Sequence, residues 1–219
     1  MSVVASVART RRPSSVVSLV CVVVSGVVSG VVLCGCPEVT PDDGDNENEV
    51  ITTVTLTFTP SGGGDALVFA FDDPENDGDP VIDDVVLDNA VDYDMTVGFT
   101  NKLSDPPEEI TDEVNEEHDV HQVFVFGSGV TGPASAGDTP LVTHAYDDVD
   151  GNDLPVGLKN TITTDATGSA ELSILLRHMP PENDTAVKVA GLADDFKEGG
   201  ESALPGSTDA SVTFPLTVE

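Results

Sequence analysis

After residue 50, apolar side chains recur at every second position over most of the chain, the period of strands with one buried face. Val54, Leu56 and Phe58 alternate with threonines, and Ser61-Gly62-Gly63-Gly64 then turns the chain. Leu67, Phe69 and Phe71 repeat the pattern before an acidic loop at 72–80. A shorter run from Val81 to Leu87 leads to Tyr93, Met95, Val97 and Phe99. Further strands are predicted from His121 to Phe126, Pro140 to Tyr146, Val156 to Thr164, Ser169 to Arg177 and Ala210 to Val218. The rhythm breaks at 105–118. There Asp105, Pro106 and Glu108 have capping-box spacing, and Ile110 and Val114 lie i, i+4, so a short helix over about 106–118 is predicted. Pro180-Pro181, Gly199-Gly200 and few paired apolar residues make 179–207 a long surface loop.

About nine short strands with Gly, Asp and Asn turns and at most one brief helix predict an all-β fold. The architecture expected is an antiparallel β-sandwich of immunoglobulin-like type, with a closed barrel as the runner-up. The chain has no Trp and its body no Cys pair, so this expectation rests on strand count and alternation.

The N-terminal pattern is different. Arg9, Arg11 and Arg12 precede an unbroken run from Val16 to Leu33 of Val, Leu, Ser, Gly and one Cys, the layout of a secretory signal. Ordinary Sec export is expected, since a bare Arg11-Arg12 pair before Pro13 is thin support for the twin-arginine route. Leu33-Cys34-Gly35-Cys36 resembles the lipobox of bacterial lipoproteins. That resemblance implies cleavage after Gly35 and acylation of Cys36, which anchors the protein to a membrane through its acyl chains. The alternative is an uncleaved span, because the 18-residue run just reaches across a bilayer. Pro37, not Asp, follows Cys36, which favours the outer membrane, at its periplasmic face or the cell surface. The expected organisation is a signal peptide at 1–35, an acidic tether at 36–49 and a β-sandwich domain at 50–219.

Charge adds to this picture. The chain has 8 Lys and Arg against 40 Asp and Glu, a net charge of −32, and no acid precedes residue 38. Removal of the signal arginines takes the net charge to about −35. Such a surface repels nucleic acid and anionic lipid and concentrates cations, and salt makes its self-repulsion tolerable. All three cysteines lie at or before residue 36, so the exported body is held by packing rather than disulfides.

Two acidic clusters are candidate calcium loops or solvated turns. Asp73, Glu75, Asp77 and Asp79, with Gly78 and the later Asp84, place oxygens at alternate positions and Gly at the sixth, as an EF-hand loop does. Asp148 and Asp150 sit in a second cluster, Tyr146 to Asp153, whose spacing fails that template and suits a hairpin turn. The other candidate group is Glu116, Glu117, His118 and His121. If the helix runs on through His121, the two histidines share a face and can ligate a transition metal with Glu117; if His121 opens a strand, they splay apart. His144 and His178 follow alternating apolar residues, which suits satisfied core or rim histidines. No G-x-S-x-G, H-E-x-x-H, phosphate-loop or dinucleotide motif occurs, and the expectation is a non-enzyme.

The segments EVITTVTLTFTP (49–60), EEITDEVNEEHDVHQVFVF (108–126), DDVDGNDLPVGL (147–158), LLRHMP (175–180) and TDASVTFPLTV (208–218) carry a further resemblance. In order and content they are similar to a group of small Bacteroidetes-type outer-membrane lipoproteins of undetermined function. Members are often described as having a type 1 periplasmic binding fold, an α/β architecture that this strand-rich body of 184 residues contradicts. The resemblance implies an accessory ligand-handling role beside a TonB-dependent receptor. It also marks His121, Arg177 and His178 as residues of a shared pocket, while Val120 stands where the group carries an acid. A lipid-anchored binder of a ligand or cation is therefore expected, with a structural or adhesive module rigidified by calcium as the alternative.

Overall fold

The computed structural model describes residues 49–219; the signal peptide, Cys36 and the tether up to residue 48 lie outside the described residues. In chain order the elements are β1 (Thr53–Pro60), β2 (Leu67–Asp72), β3 (Val81–Ile82), β4 (Val85–Leu87), β5 (Asp92–Asn101), β6 (Glu108–Glu109) and α1 (Ile110–Glu116). They continue as β7 (His121–Phe126), β8 (Val130–Gly132), β9 (Ser135–Ala136), β10 (Val142–Tyr146), β11 (Lys159–Thr164), β12 (Gly168–His178), α2 (Leu192–Gly199), a 3₁₀ turn (Glu201–Ala203) and β13 (Ser207–Val218). The larger sheet runs β3-β2-β1-β5-β11-β10-β8-β9, with β6 pairing on β5; the smaller runs β4-β13-β12-β7. Most pairs are antiparallel, and β8·β10 and β4·β13 are parallel. Neither helix is long and apolar enough to cross a membrane.

The alternation has the expected consequence. Leu56, Phe58 and Met95 of the larger sheet share one buried core with Leu172, Ile174 and Phe214 of the smaller. At roughly 1.5–3 kcal/mol for each such side chain removed from water, this layer holds the sandwich together. The fold is thus an all-β, two-sheet sandwich.

Four expectations need correction. The run from Val81 to Leu87 is two strands in different sheets: Asp83 exchanges hydrogen bonds with the edge of β2 at Ala70, and the chain then crosses so that Val85 and Leu87 are buried. The helix starts at Ile110, not 106, because Glu108 and Glu109 pair with Asn101 and Thr100 of β5, and no side chain caps it. Val156 to Leu158 lie outside β11. Gly157 has φ 86°, and a Cβ there would stand 2.7 Å from the Val123 carbonyl oxygen, so this close approach needs glycine.

The fourth correction concerns 179–207, which is a cover rather than a surface loop. Leu192, Phe196 and Leu204 lie on the outer face of the smaller sheet and form a second core with Phe124, Leu175 and Met179. The Phe196 ring lies 5.3 Å from Phe124 and 4.9 Å from Phe126. With both its faces covered, β7 is buried at five consecutive positions, His121 to Val125.

Candidate metal centre

The register of β7 and β12 sets His121 directly opposite His178. Val123 and Val125 follow His121 at period two, Leu176 and Ile174 precede His178, and all four belong to the inter-sheet core. Both imidazoles therefore enter the space between the sheets. Both are buried, and their rings stack with centroids 4.5 Å apart and planes 15° from parallel.

Asp209 joins them through an irregularity. Ala210, Val212, Phe214, Leu216 and Val218 take the inward positions of β13, so strict alternation would point Asp209 outward. The pairing with β12 shifts there: Leu176 faces Ala210, Arg177 faces Thr208, and Asp209 is the extra residue of a β-bulge. Bulges re-aim side chains. This one buries the Asp209 side chain completely, with Oδ2 3.7 Å from His121 Nε2. Glu49, in the segment leading into β1, supplies the fourth group, with Oε1 3.2 Å from the same nitrogen. One ligand atom from each of Glu49, His121, His178 and Asp209 lies within 4.8 Å of the others.

The electrostatics are those of a site short of positive charge. With both acids ionised, Glu49 Oε2 and both Asp209 oxygens are buried without a hydrogen-bond partner, as is His121 Nε2. Such groups are costly to bury, and this cluster is relieved either by a shared proton or by a cation. Burial and the Glu49 charge push the Asp209 carboxyl up to about 8. Burial works against ionisation of Glu49 as well, but His121 reverses the balance and brings it down to about 2. Burial likewise opposes a charge on His121, and Glu49, the Glu117 carbonyl and Asp209 outweigh it, so His121 is raised. Burial and the charges of Glu49, Glu117 and Glu108 raise the neighbouring Glu113.

The supporting residues fix the ligands. His121 Nδ1 lies 3.2 Å from the Glu117 carbonyl, an oxygen that can only accept, so Nδ1 carries a proton; Nε2 then holds a second proton towards Glu49 in the charged ring and offers a lone pair to an ion in the neutral one. Arg177 lies on the opposite face of β12 from His178. It donates to the carbonyls of Leu204, Pro205 and Gly206 and to Thr208 Oγ1, fastening the strand that enters the bulge. Gly206 has φ 75°, and a Cβ there would overlap the His178 carbonyl oxygen, so the chain passes this close only as glycine.

The remaining expected residues fall elsewhere. His121 opens a strand, so His118 splays away; its Nδ1 contacts the Asn115 carbonyl at 2.8 Å and its ring is partly exposed. Glu116 ends α1, exposed to solvent. Glu117 approaches His121 with its side chain only to 4.0 Å and contributes mainly its carbonyl. Asp73 accepts from the backbone N–H groups of Asp77 and Gly78, while Glu75, Asp77, Asp79 and Asp84 are exposed. Asp148 accepts from the N–H groups of Gly157 and Lys159. Asp150 accepts from those of Asn152 and Leu154 and pairs with buried Lys188 at 2.8 Å. These acids shape their own loops, and none of them belongs to the metal-ligand group found among the described residues. His144 is a core histidine that only half fits the satisfied reading: its Nε2 lies 2.9 Å from Asn160 Oδ1, its Nδ1 is buried without a hydrogen-bond partner, and burial lowers its pKa.

Sequence reasoning missed Glu49 and Asp209. Glu49 ends a run of acids that reads as tether, and Asp209 stands at the solvent phase of an alternating strand. Neither carries a local signal.

Two imidazoles and two carboxylates suit Zn²⁺, Cu²⁺ or Ni²⁺ better than Ca²⁺, which takes oxygen ligands. In a tetrahedral Zn²⁺ site the ligand atoms stand about 3.3 Å apart, so the observed spread needs modest closure. No family model, curated protein or solved structure matches the chain.

Proposed function

We propose that this protein is a lipid-anchored, non-enzymatic envelope protein that holds a divalent transition-metal ion on Glu49, His121, His178 and Asp209. The observation that supports this reading is the convergence of buried, unsatisfied Glu49, His121 and Asp209 atoms on one point beside the His178 ring. Four protein ligands together fill a tetrahedral ion, whereas a catalytic zinc keeps one position for water. The anchor at Cys36 and a place beside a TonB-dependent receptor at the outer membrane rest on the lipobox and on the family resemblance.

The test is metal titration of the chelator-stripped protein with Zn²⁺, Cu²⁺ and Ca²⁺, by calorimetry and melting curves. One equivalent of Zn²⁺ or Cu²⁺ should bind and raise Tm, and His121→Ala should abolish both effects. No Zn²⁺ or Cu²⁺ binding, with a Tm shift from Ca²⁺ alone, overturns the reading in favour of a calcium-rigidified structural module.

A further inference from the structure

The four ligands are not equivalent in how the fold holds them. His121, His178 and Asp209 lie on β7, β12 and β13, three neighbouring strands of the smaller sheet; the histidines pair directly across β7 and β12, and Asp209 is held in the bulge between Thr208 and Ala210, which both pair with β12. Two imidazoles and one carboxylate on a rigid frame already make a three-ligand metal site with one position open. The fourth ligand comes from outside that sheet. Glu49 belongs to the lead-in of β1, a strand of the larger sheet, and among the described residues the backbone hydrogen bonds to that sheet begin at Thr52, whose N–H donates to Thr100 and whose carbonyl accepts from Asp73. Between them, Val50 is 46% exposed. The Glu49 side chain, at 6% exposure, is thus a cover over groups that are wholly buried, carried two residues before Ile51, where the segment packs against the core.

Resting on the metal reading above, we propose that Glu49 is a removable fourth ligand. On the ion it closes the site and ties the lead-in of β1 to the smaller sheet. Swung outward, it leaves the ion on three rigid ligands with an open position, from which an incoming donor can take it. Metal exchange is thereby governed by the residue nearest the tether rather than by the sandwich. Such a division suits a carrier: the frame sets which ion is held, and the cover sets how long.

The experiment compares the full chain with Glu49→Ala and Asp209→Asn, each loaded with Zn²⁺. Release into excess EDTA is followed by stopped flow, and amide hydrogen exchange at Val50 and Ile51 is followed with and without Zn²⁺. Glu49→Ala should still bind one equivalent and release it roughly 10–100-fold faster, the scale on which loss of support for a metal site is felt. Zn²⁺ should slow exchange at Val50 and Ile51 in the parent chain and leave it unchanged in Glu49→Ala. Asp209→Asn should lose most of the binding. An unaltered release rate in Glu49→Ala overturns the inference while leaving the metal site standing. So does complete loss of binding in a Glu49→Ala protein whose metal-free melting is normal, since Glu49 would then belong to the obligatory set. Absence of Zn²⁺ binding in the parent chain overturns both readings.

Discussion

Lys188 and Asp150 show what one buried ion pair does in a protein this acidic. Lys188 Nζ reaches Asp150 Oδ2 at 2.8 Å and the His118 carbonyl at 2.7 Å, so one ammonium joins the 147–155 turn, the end of α1 and the segment before α2. The two partners titrate in ways that differ from a simple mutual gain. Burial alone would raise Asp150, but Lys188 and two backbone N–H groups hold it down; Lys188 is also lowered, because it loses more to burial than the carboxylate returns. The contact geometry supports a charged pair, with Asp150 the partner that governs behaviour in acid. Its depressed folded-state pKa gives stability that is present above the ordinary Asp value of about 3.9 and is lost as pH falls through the folded value below it. Lys188→Ala should cost about 3 kcal/mol at pH 7, the low end for breaking a buried pair since the N–H groups still hold Asp150. The deficit should shrink below about pH 4, as denaturant melts at several pH values would show; a constant deficit would refute the pair's role.

At the scale of elements, the segment 179–206 does more than connect two strands. Leu192 and Phe196 are one helical turn apart, with acids in the first turn of α2 and glycines at its end, so a helical signal is present. The prolines and glycines around it hide that signal in a linear reading. Phe196→Ala should destabilise the fold by about 3 kcal/mol through loss of its contacts with Phe124 and Phe126. Its metal affinity should be near that of the parent chain, because the outer face of the smaller sheet is affected and the inter-sheet face is not. Calorimetric Tm together with a Zn²⁺ titration checks both statements. The bulge in β13 is the contrasting case, where a single extra residue brings a would-be solvent acid into the buried cluster.

At the scale of the molecule, a net charge of −32 dominates. Exposed acids repel one another over distances that salt screens, with a Debye length of about 10 Å at 0.1 M and about 3 Å at 1 M. Raising NaCl from 0.05 to 1 M should therefore raise Tm in the metal-free protein; an unchanged or lower value would count against a fold stressed by its own charge. The same field draws cations towards the buried cluster, where Glu113 and Glu117 stand behind the ligands.

The alternation of apolar residues by itself determined the all-β class, the main strands and the inter-sheet core, because burial of one strand face is written locally at period two. Spacing also marked His121, beside Glu117 and His118, as a candidate ligand, while His178 read from its apolar neighbours as a core or rim histidine. Only the tertiary structure decided that these two histidines face each other, that Arg177 on the same strand points away, and that Glu49 and Asp209 complete the set. Those placements depend on strand register, on a bulge and on a contact from one sheet to the other, and each is fixed by packing among residues far apart in the chain.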